Sequence, residues 1–428
     1  MFARLLLILL ASLALAMPAA AQTQPSPALR GGADKVVALL RGEAEPAEIF
    51  TPAFLAQVPE AQVRSITQQL AAQYGAPRRV ATIEAQSETM GVIHIETERA
   101  TLHMNLVVEP GAPHSISGLL LTGADLRGDS MAAVAAELRQ LPGEVSFATA
   151  RLGDGAPAIA GHETGRPGAI GSTHKLWILA ELSRQVRAGQ RRWSDVVPLN
   201  RRSFAGGTLS AWPQGAPVTL HTLASLMISI SDNTATDILL HTLGRESVER
   251  MMGTIGIADA ARNRPFISTL ELAAIKTGPA ARLNLWRAAD EAGRRALLAS
   301  DYAAVGAAGI DVSRFSGNPL HLDIEWYATP ADLVRTMDWL RRNGDETALA
   351  ILAISAGLPP GQRDSFAYVG FKGGSEPGVI NLTWLVRDTA GGWHAVTGSW
   401  NNPQAPVDEA RFAGLMGRMV NLLRQGSR

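Results

Sequence analysis

The sequence predicts an α+β protein with two domains. The smaller has helices followed by strands, and the larger has an antiparallel sheet beside a helical subdomain. Two observations predict this fold class. In residues 33–122, helical patterns come first and strand-like patterns follow. In residues 125–428, strand-like runs stand at both ends with helical patterns between them, so one sheet is closed by the two ends of the domain. A chain of 428 residues is long enough for both cores.

Residues 1–21 have the pattern of a secretory signal peptide. Arg4 precedes a twelve-residue apolar run, and small residues come just before Gln22. A run of this length is too short to cross a bilayer, although an uncleaved membrane anchor is the alternative. We therefore expect a periplasmic or secreted protein with no stable membrane anchor. Residues 22–32 are rich in Gln, Pro, Ser and Gly, which predicts a linker.

Charge and cysteine content exclude several classes of partner and site. The chain has 39 basic and 39 acidic side chains, which argues against nucleic acid or an anionic membrane as the main partner. It has no cysteine, so it has no disulfide, no thiolate metal ligand and no lipid-bearing cysteine. We find no nucleotide-binding glycine loop and no metal-spaced group of His, Asp and Glu. The sequence therefore predicts no cofactor and no metal.

The smaller domain, residues 33–122, has two helical patterns before its strands. The strand-like runs alternate apolar and polar residues, most plainly from Ala100 to Glu109. The helical patterns are Asp34–Arg41 and Glu60–Tyr74, and the strand-like runs are Arg79–Glu84, Gly91–Glu96, Ala100–Glu109 and Ile116–Leu121. This pattern resembles the nuclear-transport-factor-2-like (NTF2-like) or cystatin-like fold. His94 and His103 are candidates to line a pocket between helix and sheet, or are solvated on the polar face.

The larger domain, residues 125–428, begins after a boundary near Gly123 to Gly128. Its pattern is mostly helical from 172 to 300. Strand-like runs are predicted at Val145–Leu152, Ala156–His162, 366–372, 379–387 and 393–399, with flanking helices at Ser130–Arg139 and Asp408–Leu423.

The first candidate motif is Ser172-Thr173-His174-Lys175 at the start of an apolar helix. Three residues make nearly one helical turn, so Ser172 and Lys175 share a face. A lysine amine in a dry site, or beside a second cation, loses its proton more easily and can activate a serine as a nucleophile. The alternative is an N-cap serine followed by an unrelated lysine.

The second candidate motif is Ser231-Asp232-Asn233, between two helical patterns. A hydroxyl at such a junction can relay a proton to a leaving group. Asn233 can bind a substrate carbonyl or position the lysine. The alternative is a turn with a capping Asp or Asn.

The third candidate motif is Lys372-Gly373-Gly374-Ser375, at the end of a strand-like run. The glycines, Gly374 among them, allow a substrate to lie against the strand edge. Lys372 can bind a substrate carboxylate, and the backbone N–H groups of Ser172 and Ser375 can form an oxyanion hole. The alternative is a bend between strand and turn.

Together these motifs resemble the Ser-x-x-Lys, Ser-Asp-Asn and Lys-Thr-Gly signature of class A β-lactamases and penicillin-binding proteins. The separation of 59 residues between Ser172 and Ser231 is close to that of class A enzymes. The resemblance covers about residues 125–428 and implies a β-lactamase/transpeptidase-like fold. The added small domain, together with the Ser-Thr-His-Lys and Lys-x-Gly-Ser motifs, resembles the arrangement in a narrower group of this family. That group includes the cephalosporin-esterase-like protein of clavulanic acid biosynthesis.

The sequence departs from the class A pattern at three places. The third motif reads Lys-Gly-Gly, and Ser375 is a candidate to replace the lost hydroxyl. The second and third motifs are 141 residues apart, with an Ala-rich helical insertion around Thr277–Asn318 that we expect to cover the cleft. The Glu-x-x-Leu-Asn loop with the deacylating base is missing, and its region reads Asn263-Arg264-Pro265-Phe266. Glu325 is a candidate site residue, or it is a surface or capping carboxylate before the capping box that Thr329 and Asp332 predict.

These residues predict an exported serine hydrolase that forms an acyl-enzyme at Ser172. The resemblance implies a small-molecule substrate, a β-lactam or a related ester or amide. Two alternatives remain. One is a penicillin-binding or sensor protein that acylates without efficient turnover. The other is a peptidoglycan peptidase, which needs a cleft open enough for a peptide.

Overall fold

The structure is a computed structural model that describes residues 24–204, 206–303 and 305–425. The predicted signal peptide lies outside the described residues. The chain divides into two compact units between Arg127 and Gly128, and each is described by itself. In the described part of the chain, no helix has the length and apolar character needed to cross a membrane.

The helices of the first unit begin inside the predicted linker. Ser26 caps helix α1 by accepting a hydrogen bond from the Leu29 backbone N–H, and Pro27 occupies the first turn. Residues 27–32 are therefore helical and not a linker. Gly32 packs so closely on the sheet that a Cβ there would lie 2.5 Å from Val108 Cγ1. The helices are α1 Pro27–Arg41, α2 Pro46–Ile49, α3 Pro52–Gln57 and α4 Glu60–Tyr74.

Four antiparallel strands follow as a meander in the order β1-β2-β3-β4. They are β1 Pro77–Ala85, β2 Met90–Thr97, β3 Ala100–Val108 and β4 Ile116–Leu126. Strand β4 pairs with β3 as far as Ala100 and Leu126, so this unit extends past residue 122. Apolar residues of β2 and β3 share a core with α1, including Ile95, Leu102 and Leu106. The resemblance to an NTF2-like or cystatin-like fold stays a prediction.

His94 and His103 lie on the other face of this sheet, because neighbouring residues of a strand point to opposite faces. They are paired across β2 and β3, and their Nδ1 atoms are 2.7 Å apart. The outer nitrogen of each ring lies 3.1 Å from a carboxylate, Glu84 for His94 and Asp125 for His103. The two histidines therefore face each other and do not line a pocket under the helices.

The second unit has a five-stranded antiparallel sheet in the order β11-β12-β13-β5-β6. Strands from the start and the end of the unit lie side by side, as the sequence predicts. The strands are β5 Glu144–Leu152, β6 Ala158–His162, β11 Tyr368–Glu376, β12 Val379–Arg387 and β13 Trp393–Asn401. Helices α5 (Met131–Arg139) and α16 (Glu409–Leu422) share a core with the sheet that includes Phe147, Trp384 and Phe412. The predicted α+β class is confirmed.

A helical subdomain contributes a second and larger core to this unit. Helix α13 packs against β5 and β13, and its N-terminus has the predicted capping box of Thr329 and Asp332. The helices are α6 Lys175–Arg187, α7 Leu220–Ser229, α8 Asn233–Leu243, α9 Arg245–Ile255, α10 Thr269–Thr277, α11 Ala280–Ala288, α12 Glu291–Ser300, α13 Pro330–Asn343, α14 Glu346–Leu352 and α15 Pro360–Arg363.

Short strand pairs fix the loops around these helices. Strand β7 (Gly168–Ala169) pairs with β10 (Tyr327–Ala328), which brings the segment after Glu325 next to the chain that enters the first motif. Strands β8 (Val196–Pro198) and β9 (Pro217–Thr219) form the other pair. Helices α11 and α12 lie within the predicted insertion, and its role as a cover for the cleft stays a prediction.

Candidate active site

Ser172 lies in a 3₁₀ turn, Gly171–His174, and the α-helix α6 begins only at Lys175. The turn is fixed by its buried neighbour His174. The His174 ring stacks on Trp326 with centroids 3.6 Å apart, and its Nδ1 bonds to the Gly171 carbonyl at 2.9 Å. Burial, and then the charge of Lys175, lower the pKa of His174 well below its usual value. A neutral, packed imidazole therefore supports the turn, while Ser172 itself is half-buried.

The amine of Lys175 is fully buried and held by the second motif. Its Nζ donates to the Ser231 carbonyl at 2.7 Å, to the Ser231 hydroxyl at 3.0 Å and to Asn233 Oδ1 at 2.8 Å. None of the hydrogen bonds of Lys175 in the described structure goes to the Ser172 hydroxyl. Burial, and then the nearby charge of Lys372, lower the pKa of Lys175 well below its usual range. The lowered pKa increases the unprotonated fraction of the amine, which is the form that can accept a proton.

The second motif forms the junction between α7 and α8. Ser231 has a left-handed backbone conformation, with φ of 60°, which is costly for a residue with a Cβ. Asp232 is buried and caps α8 by accepting from the Ala235 N–H at 2.8 Å. Its other carboxylate oxygen accepts from the backbone N–H groups of Thr208 and Leu209. Asp232 thus fixes the junction, and Ser231 and Asn233 project from it toward Lys175.

The third motif lies inside strand β11 and not beyond its end. The Lys372 amine is 3.1 Å from the Ser231 hydroxyl, so two lysine amines share that hydroxyl. Burial lowers the pKa of Lys372 to about 7. Near neutral pH the two amines therefore need not both carry a charge.

Gly374 allows β11 to lie directly against the turn that carries Ser172. A Cβ on Gly374 would lie 2.4 Å from the Ser172 backbone nitrogen. This distance is too short for any side chain, so only glycine fits at this position. In the same contact, a Cβ on Gly171 would lie 3.2 Å from the Ser375 backbone nitrogen. The backbone N–H groups of Ser172 and Ser375 are thus brought close together. Two such donors are what an oxyanion hole requires.

Glu325 is buried in an ion cluster and does not cap helix α13. Its carboxylate is 2.6 Å from the Lys276 amine, and the same amine is 2.5 Å from Glu376. The hydrogen bonds of Glu325 within the described residues do not reach Ser172 or Lys175. The region expected to carry a catalytic glutamate has structural contacts instead. Asn263 exchanges two hydrogen bonds with the Tyr327 backbone, and the Phe266 ring packs beside His174.

Sequence reasoning missed Lys276, Glu376 and the pairing of His174 with Trp326. Lys276 stands in a helical pattern with no motif around it, so nothing local distinguishes it from a surface lysine. The one available signal was the position of Glu376 directly after Ser375.

Comparison with known proteins places the second unit in a family. A model of the β-lactamase enzyme family matches residues 129–352, more than half of the chain, including the first two motifs. No curated protein matches the chain. Among solved structures, a β-lactamase from Sphaerobacter thermophilus DSM 20745 is 21% identical, over 69% of this chain and 95% of that chain, with a TM-score of 0.47.

A β-lactamase from Desulfarculus baarsii DSM 2075 is 17% identical, over 70% of this chain and 100% of that chain, with a TM-score of 0.48. A third, from Chitinophaga pinensis DSM 2588, is 16% identical, over 69% of this chain and 97% of that chain, with a TM-score of 0.47. On the family match, the chain belongs to the β-lactamase enzyme family, and it is a serine hydrolase of the serine β-lactamase and penicillin-binding protein superfamily.

Proposed function

We propose that the protein is an exported serine hydrolase that forms an acyl-enzyme at Ser172. The observation that carries the proposal is the buried Lys175 amine. It lies three residues after the serine, has a lowered pKa, and is hydrogen-bonded to the Ser231 hydroxyl. A lysine amine with a lowered pKa can serve as the base that activates a nearby serine without a histidine.

The proposed reaction moves one proton from the nucleophile to the leaving group. Lys175 accepts the proton of the Ser172 hydroxyl as its oxygen attacks the acyl carbonyl. Lys175 then gives a proton to the Ser231 hydroxyl, which passes its own proton to the leaving nitrogen or oxygen as that bond breaks. The backbone N–H groups of Ser172 and Ser375 stabilise the oxyanion.

The proposed substrate is a β-lactam or a related ester or amide that carries a carboxylate. Family membership supports the β-lactam. Lys372 supports the carboxylate, because its amine is buried beside Ser231 and a bound anion would restore its charge. The Lys-Gly-Gly motif lacks the threonine hydroxyl of Lys-Thr-Gly. We therefore assign Ser375 and Asn233 as the polar groups that bind the rest of the substrate.

One observation favours a second candidate, a penicillin-binding or sensor protein that acylates without efficient turnover. Deacylation needs a base for the attacking water. Glu325 is paired with Lys276, and both side chains are fully shielded from solvent. A slow second step would leave the acyl-enzyme as a lasting product.

Intact-protein mass spectrometry with a chromogenic cephalosporin tests both candidates, with Ser172→Ala as the matched control. A transient adduct with colour release, absent in the control, is the expected result for a hydrolase that turns over. An adduct that persists would favour the penicillin-binding or sensor protein. An adduct that survives in Ser172→Ala would overturn the assignment of the nucleophile.

Export is tested separately by the N-terminus of the mature protein. The full-length chain is expressed in a Gram-negative host, and the periplasmic fraction is analysed by N-terminal sequencing. We expect the mature chain to begin at Gln22. Retention of the intact N-terminus in the membrane fraction would contradict cleavage.

A further inference from the structure

Three titratable side chains meet largely out of solvent at the end of strand β11. They come from three separate segments: Lys276 from α10, Glu325 from the chain before β10, and Glu376 from the end of β11. The Lys276 and Glu325 side chains are fully shielded, and that of Glu376 is 11% exposed. We call these three residues the carboxylate–lysine cluster.

The cluster is attached to both halves of the candidate oxyanion hole. On one side, Glu325 precedes Trp326, whose carbonyl accepts a hydrogen bond from the Ile170 N–H at 3.0 Å, two residues before Ser172. On the other side, Glu376 directly follows Ser375. In strand β11, Lys372, Gly374 and Glu376 lie on one face because side chains alternate. Glu376 is thus directed to the same side as the contact of Gly374 with the turn.

The charges of the cluster balance when one carboxyl keeps its proton. Burial, and then the negative charge of Glu325, raise the pKa of Glu376 well above its usual value. Burial opposes the charge of Lys276, but the two carboxylates outweigh it and raise the pKa of Lys276. The Glu376 carboxyl accepts a hydrogen bond from Lys276 and lies close enough to Glu325 for the two carboxyl groups to share a proton. A protonated Glu376 can donate to Glu325 and accept from Lys276, so that all three groups are satisfied.

We propose that Lys276, Glu325 and Glu376 are positioning residues that hold the end of β11 against the Ser172 turn, and so set the distance between the two oxyanion-hole N–H groups. The proposal rests on the proposed function, since the distance matters only if an oxyanion forms at Ser172. In the described sheet β11 is an edge strand and pairs with β12 on one side. The cluster adds a side-chain attachment at Glu376 to the backbone contact that Gly374 already makes with the turn.

The expected cost of releasing this attachment is in the rate of acylation. Loss of one oxyanion donor typically costs about 10²–10³ in rate. Displacing the Ser375 N–H without deleting it should cost less, about 10-fold to 100-fold. Noncovalent binding, which depends on Lys372 and Asn233, should change little. If the cluster were needed only for folding, its loss would lower the amount of active protein. It would not slow acylation while leaving noncovalent binding unchanged.

Two variants of Glu376 test the proposal. Glu376→Ala removes the attachment of β11 and leaves the Lys276–Glu325 pair balanced. Glu376→Gln keeps both hydrogen bonds, because its amide accepts from Lys276 and donates to Glu325. Asp338→Asn is the structural control, since it removes the charge of another buried carboxylate of the same unit, which is paired with Arg341 and Arg342.

The measurements are the acylation rate constant and the noncovalent dissociation constant for a chromogenic cephalosporin and for a fluorophosphonate probe. Hydrogen–deuterium exchange of a peptide spanning 370–378 is followed in parallel. We expect Glu376→Ala to slow acylation about 10-fold to 100-fold with less than a threefold change in binding, and to raise exchange in this peptide. Glu376→Gln and Asp338→Asn should stay within about threefold of the unmodified protein in both quantities.

Each result decides one of the two proposals. If Glu376→Ala acylates normally or leaves exchange unchanged, the positioning role is wrong. It is also wrong if Glu376→Gln is as slow as Glu376→Ala, or if Asp338→Asn slows acylation equally. If the unmodified protein reacts with neither probe, the proposed function fails. The exchange data still decide whether the cluster holds the end of β11.

Discussion

Lys175 contacts Ser231 twice: its amine donates to the Ser231 hydroxyl at 3.0 Å and to the Ser231 carbonyl at 2.7 Å. Ser231 has a left-handed backbone with φ of 60°, and in this conformation its carbonyl and its side chain both contact the same amine. The proton acceptor and the proton relay of the proposed mechanism are therefore a single hydrogen-bonded unit.

Replacing Lys175 should slow acylation strongly, because the proposed base is lost. Lys175→Met removes the amine. Lys175→Arg keeps the positive charge, but its guanidinium group cannot accept a proton. We expect both to lower the acylation rate constant by about 10²–10⁴-fold, measured by stopped-flow with a chromogenic cephalosporin. Circular dichroism checks that both variants are folded. If Lys175→Arg kept more than a tenth of the rate, the charge and not the base would be the function of Lys175.

The pH dependence of acylation should have one limb for each buried lysine. Lys175 acts as a base only when neutral, so the rate should rise with pH through its lowered pKa. Lys372 attracts a carboxylate only when protonated, so with its pKa at about 7 the rate should fall as pH increases above that value. The limb at high pH should be absent for the methyl ester of the same substrate, and should move to higher pH in Lys372→Arg. An identical high-pH limb for acid and ester would contradict the role of Lys372.

Strain at Ser231 can be separated from the loss of its hydroxyl. Ser231→Ala and Ser231→Gly both remove the hydroxyl, and only glycine adopts a φ of 60° without cost. We expect the free energy of unfolding of Ser231→Gly to exceed that of Ser231→Ala by about 1 kcal/mol in urea denaturation. Both should be slow in acylation. Equal stability of the two variants would show that the backbone of this position is not strained.

Adjacent glycines of α1 should respond to alanine in opposite directions. A Cβ on Gly31 meets nothing within 4 Å, whereas one on Gly32 would lie 2.5 Å from Val108 Cγ1. Gly31→Ala should raise the free energy of unfolding by about 0.5–1 kcal/mol through helix propensity. Gly32→Ala should lower it by about 1–3 kcal/mol through overpacking.

Urea unfolding of the full chain measures both glycine variants, and hydrogen exchange in α1 assigns the transition to the first unit. If neither substitution changed the free energy of unfolding, residues 27–32 would behave as the linker that composition alone predicts.

Local patterns were sufficient where neighbouring residues decide the structure. The predicted bounds of helix Glu60–Tyr74 agree with the structure, because Pro59 and Gly75 mark its ends. The capping box at Thr329 and Asp332 depends on residues three apart, and it too is confirmed. The linker prediction was wrong for residues 27–32, because a glycine that allows close packing has the same appearance in a sequence as a glycine in a flexible segment.

The sequence by itself determined the α+β class, the three motifs and their order, since these depend on periodicity and on short spacings. Only the tertiary structure decided which groups meet. Ser172 and Lys175 are three residues apart, yet the hydrogen bonds of Lys175 go to Ser231 and Asn233, more than fifty residues away. The carboxylate–lysine cluster joins Lys276 to Glu376 across 100 residues. Helix geometry fixes neighbours along one segment, but the packing of separate segments decides which buried charges find partners, and no local pattern records that packing.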